Sequence, residues 1–139
     1  MVGKWVLTGT IDGKETTHDI DAEWILNREY VRLHEVSRDQ GTNGAPAYEA
    51  IVIISWDKRP REYSCLWLDS TGGGGLSAQG IAHGKPSGNT IPFVFKLAGG
   101  VKFYNTFTYV GDSGTWRWDL DGEEGGKLQP FARVKLTKT

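Results

Sequence analysis

The stretch Lys14-Glu15-Thr16-Thr17-His18-Asp19-Ile20-Asp21-Ala22-Glu23-Trp24-Ile25-Leu26 alternates with a period of two and has no helical stripe. His18, Ile20, Ala22, Trp24 and Leu26 fall on one face, and Thr17, Asp19, Asp21 and Glu23 on the other. Successive side chains of an extended strand point to opposite sides, so this pattern predicts a strand with one face inward and one in water. The same reading extends in both directions. Lys4 to Ile11 forms a strand that reaches it through the turn pair Asp12-Gly13, and Glu29 to Ser37 forms the strand that follows.

Beyond a loop of turn formers from Asp39 to Pro46 come strands at Tyr48 to Trp56 and Glu62 to Asp69, and then four glycines, Gly72 to Gly75. Further strands are read at Leu76 to Ala82, Thr90 to Leu97 and Val101 to Val110. The next carries Trp116, Trp118 and Leu120. After a polar loop from Asp121 to Lys127, a last strand runs from Leu128 to Leu136. This gives about ten strands, most of them joined by hairpin-sized loops. Such links are too short for the crossovers of a parallel sheet, and only the Asp39 to Pro46 loop could serve as a long Greek-key crossing. A long meander removes its exposed edges best by closing on itself. The predicted fold is all-β: a single up-and-down antiparallel barrel domain over residues 1–139. A barrel this wide exceeds the eight-strand case that side chains alone fill, so it can hold a lumen.

Composition excludes several classes of function. Sixteen basic against seventeen acidic residues leave a net charge of −1, without the basic field of a nucleic-acid binder. A single cysteine, Cys65, rules out an internal disulfide and a four-cysteine zinc site. The longest apolar run, Ala50 to Ile54, is far short of a membrane span. The start at Met1-Val2-Gly3-Lys4 has no apolar leader, which is also what removal of a leader would leave. Localisation is therefore open between the cytoplasm and export. Nineteen glycines suit many tight turns, and six tryptophans suit an aromatic core or cavity.

Several segments together resemble a known pattern. Gly3-Lys4-Trp5 looks like the G-x-W opening of calycin-type barrels, and Trp24-Ile25-Leu26-Asn27-Arg28-Glu29-Tyr30-Val31 looks like the W-x-L-turn hairpin of a bacterial calycin-like family. Further matches are Tyr48-Glu49-Ala50, Ser55-Trp56-Asp57, Trp67-Leu68-Asp69-Ser70 and Phe131-Ala132-Arg133-Val134-Lys135-Leu136. The chain departs from that pattern at Asn27-Arg28, where the family tends towards glycines, and at Trp56, where a tyrosine is common. The family is catalogued only as domain of unknown function fifteen-seventy-nine. The resemblance implies a lipocalin-like or fatty-acid-binding-like barrel and no established activity.

Candidate chemistry follows from which side chains share a face. His18, His34 and His83 form no H-x-H or H-x-x-x-H pair, so no metal site is predicted. The four glycines lack the lysine and helix of a phosphate-binding loop and read as a hairpin loop or a mobile lip, and no cofactor is predicted. No serine sits in a G-x-S-x-G elbow, and Cys65 reads as a packing residue.

The third strand has two possible parities. A two-residue turn at Asn27-Arg28 sends Val31 and Leu33 inward; a three-residue turn sends Tyr30, Arg32 and His34 into the lumen. Asp69 reads either as a lumen hydrogen-bonding group or as the cap of the following turn. The predicted ligand-lining residues are His18, Trp24, Tyr48, Trp67, Gln79, Asn105, Trp116 and Trp118, around a small apolar or amphipathic molecule. The alternative is a cofactor-free isomerase, lyase or hydrolase drawing on Tyr30, Arg32, His34, Glu35 or Asp69. A third reading is an interaction module with a filled barrel. The fourth strand is apolar on both faces, so its outer side needs a cover, and a homodimer is expected to supply it.

Overall fold

A computed structural model describes residues 1–72 and 75–139. Ten strands follow one another in sequence: β1 (Gly3–Ile11), β2 (Lys14–Ile25), β3 (Tyr30–Ser37), β4 (Glu49–Asp57), β5 (Glu62–Asp69), β6 (Ile81–Gly84), β7 (Thr90–Lys96), β8 (Lys102–Val110), β9 (Thr115–Glu124) and β10 (Lys127–Lys138). Each pairs antiparallel with its neighbours in sequence, and β1 pairs with β10 to close the barrel. The all-β, up-and-down architecture is the one the alternation predicts. No helix among the described residues is long and apolar enough to cross a membrane.

Closure brings β1 and β10 close together at Gly9, which has φ +147°. A Cβ there would lie 2.2 Å from the Arg133 carbonyl oxygen, so only glycine lets the two backbones meet.

The β2–β3 hairpin settles the parity of the third strand. Ile25 pairs with Tyr30, Trp24 with Val31, Ala22 with Leu33 and Ile20 with Glu35. The loop therefore has four residues, but its register is that of the two-residue hairpin with one further pair opened. Val31, Leu33 and Glu35 face inward, and Tyr30, Arg32 and His34 face out. Leu26, Asn27 and Arg28 all take left-handed conformations, with φ of 47°, 56° and 63°. Each such residue carries a Cβ penalty that glycine would not.

Two boundaries differ from those read in the sequence. The sixth strand is confined to Ile81–Gly84 and follows a 3₁₀ turn at Ala78–Gly80, not a strand from Leu76. Ser77 Oγ accepts the Gln79 N–H and starts that turn, a local bond that competes with extension. The loop read from Asp121 to Lys127 is mostly strand, with the chain reversing at Gly125-Gly126. Beyond it a bulge between Pro130 and Ala132 leaves Phe131 without a partner on β9. The lip suggested for Gly72 to Gly75 includes residues 73 and 74, which lie outside the described residues.

The middle of the barrel interior is packed solid. Leu7, Leu33, Val52, Cys65, Phe93, Phe107, Trp118 and Leu136 are each at most 1% exposed. Phe107 stacks on Trp118 at 4.4 Å with an 11° interplanar angle, and Phe93 meets Phe107 edge-on at 5.4 Å. Burial pushes the Cys65 thiol up to about 12. On the outer side of β4, Ile51 and Ile53 are half-buried beside Leu68 and Leu66 of β5. No helix among the described residues covers them.

Candidate functional site

One end of the interior is a cavity of about 610 Å³, whose wall includes His18, Glu35, Tyr48, Trp67, Asp69, Phe95, Asn105 and Trp118. Its mouth is edged by the exposed Lys14, Glu15, Asp39 and Gln79. The site arises because polar residues occupy inward positions of strands whose other inward positions are apolar. On β2, His18 precedes Ile20 and Ala22; on β3, Glu35 follows Leu33; on β8, Asn105 precedes Phe107.

His18 and Glu35 are diagonal neighbours across the β2–β3 ladder, since Ile20 stands opposite Glu35 and His18 opposite Ser37. Both are 3% exposed. His18 Nδ1 lies 2.5 Å from Glu35 Oε1, and His18 Nε2 lies 2.8 Å from Thr16 Oγ1. An ionised carboxylate can only accept, so beside it Nδ1 carries the proton. In a neutral ring Nε2 then accepts from the Thr16 hydroxyl. The imidazole is held on a third side by the Tyr48 ring, stacked at 5.6 Å.

Tyr48 links this pair to β5. Its hydroxyl accepts from Trp67 Nε1 at 3.0 Å and donates to Asp69 Oδ2 at 3.3 Å. Burial, reinforced by the nearby Glu35 charge, holds the phenol well above its ordinary range, so it acts as a donor. Asp69 caps the turn that follows β5 and also borders the cavity. Oδ2 faces Tyr48, while Oδ1 accepts from the Thr71 and Gly72 backbone N–H groups and the Thr71 hydroxyl.

Among the described residues, three polar atoms of wall residues have no hydrogen-bond partner: Glu35 Oε2, Asn105 Oδ1 and Trp118 Nε1. Unpaired buried polar atoms are rare in folded proteins and costly. All three atoms are enclosed by the surrounding side chains and not open to the cavity.

Of the ligand-lining residues read in the sequence, His18, Tyr48, Trp67, Gln79, Asn105 and Trp118 border the cavity. Trp24 does not; it is 49% exposed at the far end of β2. Trp116 lies with Trp5 and Tyr63 around a second cavity of about 540 Å³ at the opposite end of the barrel. Inward parity alone does not tell which end of the lumen a residue serves.

Of the five acid–base candidates, only Glu35 and Asp69 border the cavity. Arg32 instead pairs with Glu23 at 2.6 Å on the outer face, and His34 with Glu49 at 2.7 Å. Tyr30, 37% exposed, lies on the same outer side. His83 is also outside, against Ser64 and Glu62, so the three histidines do not converge.

Sequence reading overlooked Thr16, Phe103 and Phe131 in the wall. Phe103 shares its alternating face with Asn105 and could have been found that way. Phe131 sits at the bulge, where counting by twos fails. Compared with known proteins, the chain matches no family model and no curated relative.

Proposed function

We propose that the barrel binds a small, mostly apolar molecule in the cavity bordered by Tyr48, Trp67 and Trp118. The observation that carries this reading is the cavity itself. At about 610 Å³ it lies within the size range of small-molecule sites, and its wall is aromatic with a few converging polar groups. A filled barrel would leave no reason for His18, Glu35 and Asn105 to point inward. The likeness to the calycin-like family of unknown function fits this reading and adds no substrate.

The test is native mass spectrometry of the purified protein, compared with denaturing conditions, alongside titration with apolar dyes. Binding is expected to appear as a stoichiometric adduct lost on denaturation, or as saturable one-site dye uptake. A protein that carries nothing and takes up no dye sinks the reading. The same spectra count subunits, and so test whether a second copy covers the outer face around Ile51 and Ile53.

A second reading has one specific observation behind it. Thr16, His18 and Glu35 form a hydroxyl–imidazole–carboxylate chain at the cavity wall, an arrangement suited to moving a proton at the hydroxyl. Turnover of an apolar ester that disappears in His18→Ala supports catalysis; ligands recovered chemically unchanged oppose it.

A further inference from the structure

We infer that the cavity selects an amphiphilic amine: an apolar, preferably aromatic body carrying one protonated nitrogen that the Glu35 carboxylate attracts. The inference rests on the binding reading above and names the class of ligand. Glu35 is 3% exposed and borders the cavity, with one carboxylate oxygen held by His18 and the other enclosed and without a partner among the described residues. A buried carboxylate so poorly satisfied is costly, and a cation in the adjoining cavity lowers that cost through the low dielectric around it.

The rest of the wall agrees on the sign of the charge. Its ionisable groups are Glu15, Glu35, Asp39 and Asp69 against Lys14 and His18. Carboxylates stay in excess even when His18 is counted as a cation. An anion would meet repulsion there, with Lys14 at the exposed mouth its one lysine partner among the described residues. The aromatic rings point the same way. Tyr48, Trp67, Phe95 and Trp118 present the faces and edges of four rings, with Trp67 set against Phe95 and Trp118 at 6.4 and 6.1 Å. Ring faces attract organic cations, most strongly where water is excluded.

The experiment is calorimetric titration at neutral pH with three probes of one shape: naphthylmethylamine, naphthylmethanol and naphthoate. The amine is expected to bind about tenfold or more tighter than the alcohol, with the acid weakest, as an opposite charge in a water-poor site implies. In Glu35→Gln, which keeps the shape and removes the charge, the amine's advantage should vanish while the alcohol's affinity stays. Should the variant not fold, the three probes on the unaltered protein decide. An alcohol or acid that binds as tightly as the amine overturns the choice of ligand class and leaves the binding reading standing. If none of the three binds while an apolar dye does, the ligand class alone falls; if the dye is refused too, both fall.

Discussion

The middle of the barrel and its open end are built from the same strands and yet have opposite interiors. On β3, moving two residues from Leu33 to Glu35 passes from a fully buried aliphatic to a buried carboxylate. On β8 the step from Phe107 to Asn105 does the same, and on β5 the step from Cys65 through Trp67 to Asp69. The closed middle is joined by contacts that only packing rewards. The open end holds groups that cost stability unless something satisfies them. The fold is therefore stabilised in its middle and left unfinished where the main cavity opens, the usual relation between a scaffold and a site.

The comparison breaks first at its strongest point. Phe107→Ala should lose about 3–5 kcal/mol, because it empties a fully buried position stacked on Trp118 and edge-on to Phe93. Urea unfolding measures this, and a loss no larger than that of a surface change would mean the closed middle is not the stabilising region. His18→Ala in the open end should cost less, about 1–3 kcal/mol, since it strips Glu35 Oε1 of its partner and creates an unsatisfied buried acceptor. Its larger effect should be on uptake of the amine probe, read by the same calorimetry.

Alkaline pH probes both regions together. Cys65 in the closed middle is held protonated up to about 12, from an ordinary 9.0, and Tyr48 in the open end is raised above its ordinary 10.0. In both cases the folded state keeps its proton more tightly than the unfolded chain. Stability should be flat in these groups below about pH 9 and fall above it, by at most about 1.4 kcal/mol per pH unit per group. Urea midpoints between pH 8 and 11 follow this, and the slope should lessen in Tyr48→Phe and in Cys65→Ala. A midpoint that does not move over this range contradicts both assignments.

The smallest effect has the opposite sign and lies in neither region. Arg28 closes a run of three left-handed residues at the β2–β3 turn, so Arg28→Gly should gain about 1 kcal/mol or less in thermal or urea unfolding. A loss would mean that the Arg28 side chain holds the turn by a contact that outweighs its backbone strain.

How far the sequence could be read follows the same division. Alternation is local, so the inward face of β2 and the order of the strands were legible from residues such as Ile20, Ala22, Phe93 and Phe107. The site was legible where an inward polar residue interrupts an apolar face, as His18 and Asn105 do. It was obscured where a loop of unstated length sets the parity, which left Arg32 and His34 as candidates although both meet carboxylates on the outer surface. Trp24 and Trp116 show the other gap. Parity assigns a side chain to the inside, but position along the barrel axis depends on strand tilt and register, which no single strand encodes. The His18–Glu35 contact is of this kind, created by a cross-strand diagonal between two separate segments.

The pairing of β1 with β10 has a consequence for how the molecule comes into being. Every other strand pair joins neighbours in the chain and can zip as it leaves the ribosome. The last pair brings Trp5 opposite Lys138, across nearly the whole sequence. Until the final strand is available, the edge of β1 stays open as a template for any other extended chain. Closure of so long a loop sets the pace of folding, in the millisecond-to-second range of barrels rich in distant contacts. Gly9, where a Cβ would run into the Arg133 backbone, is the point on that edge that admits the last strand.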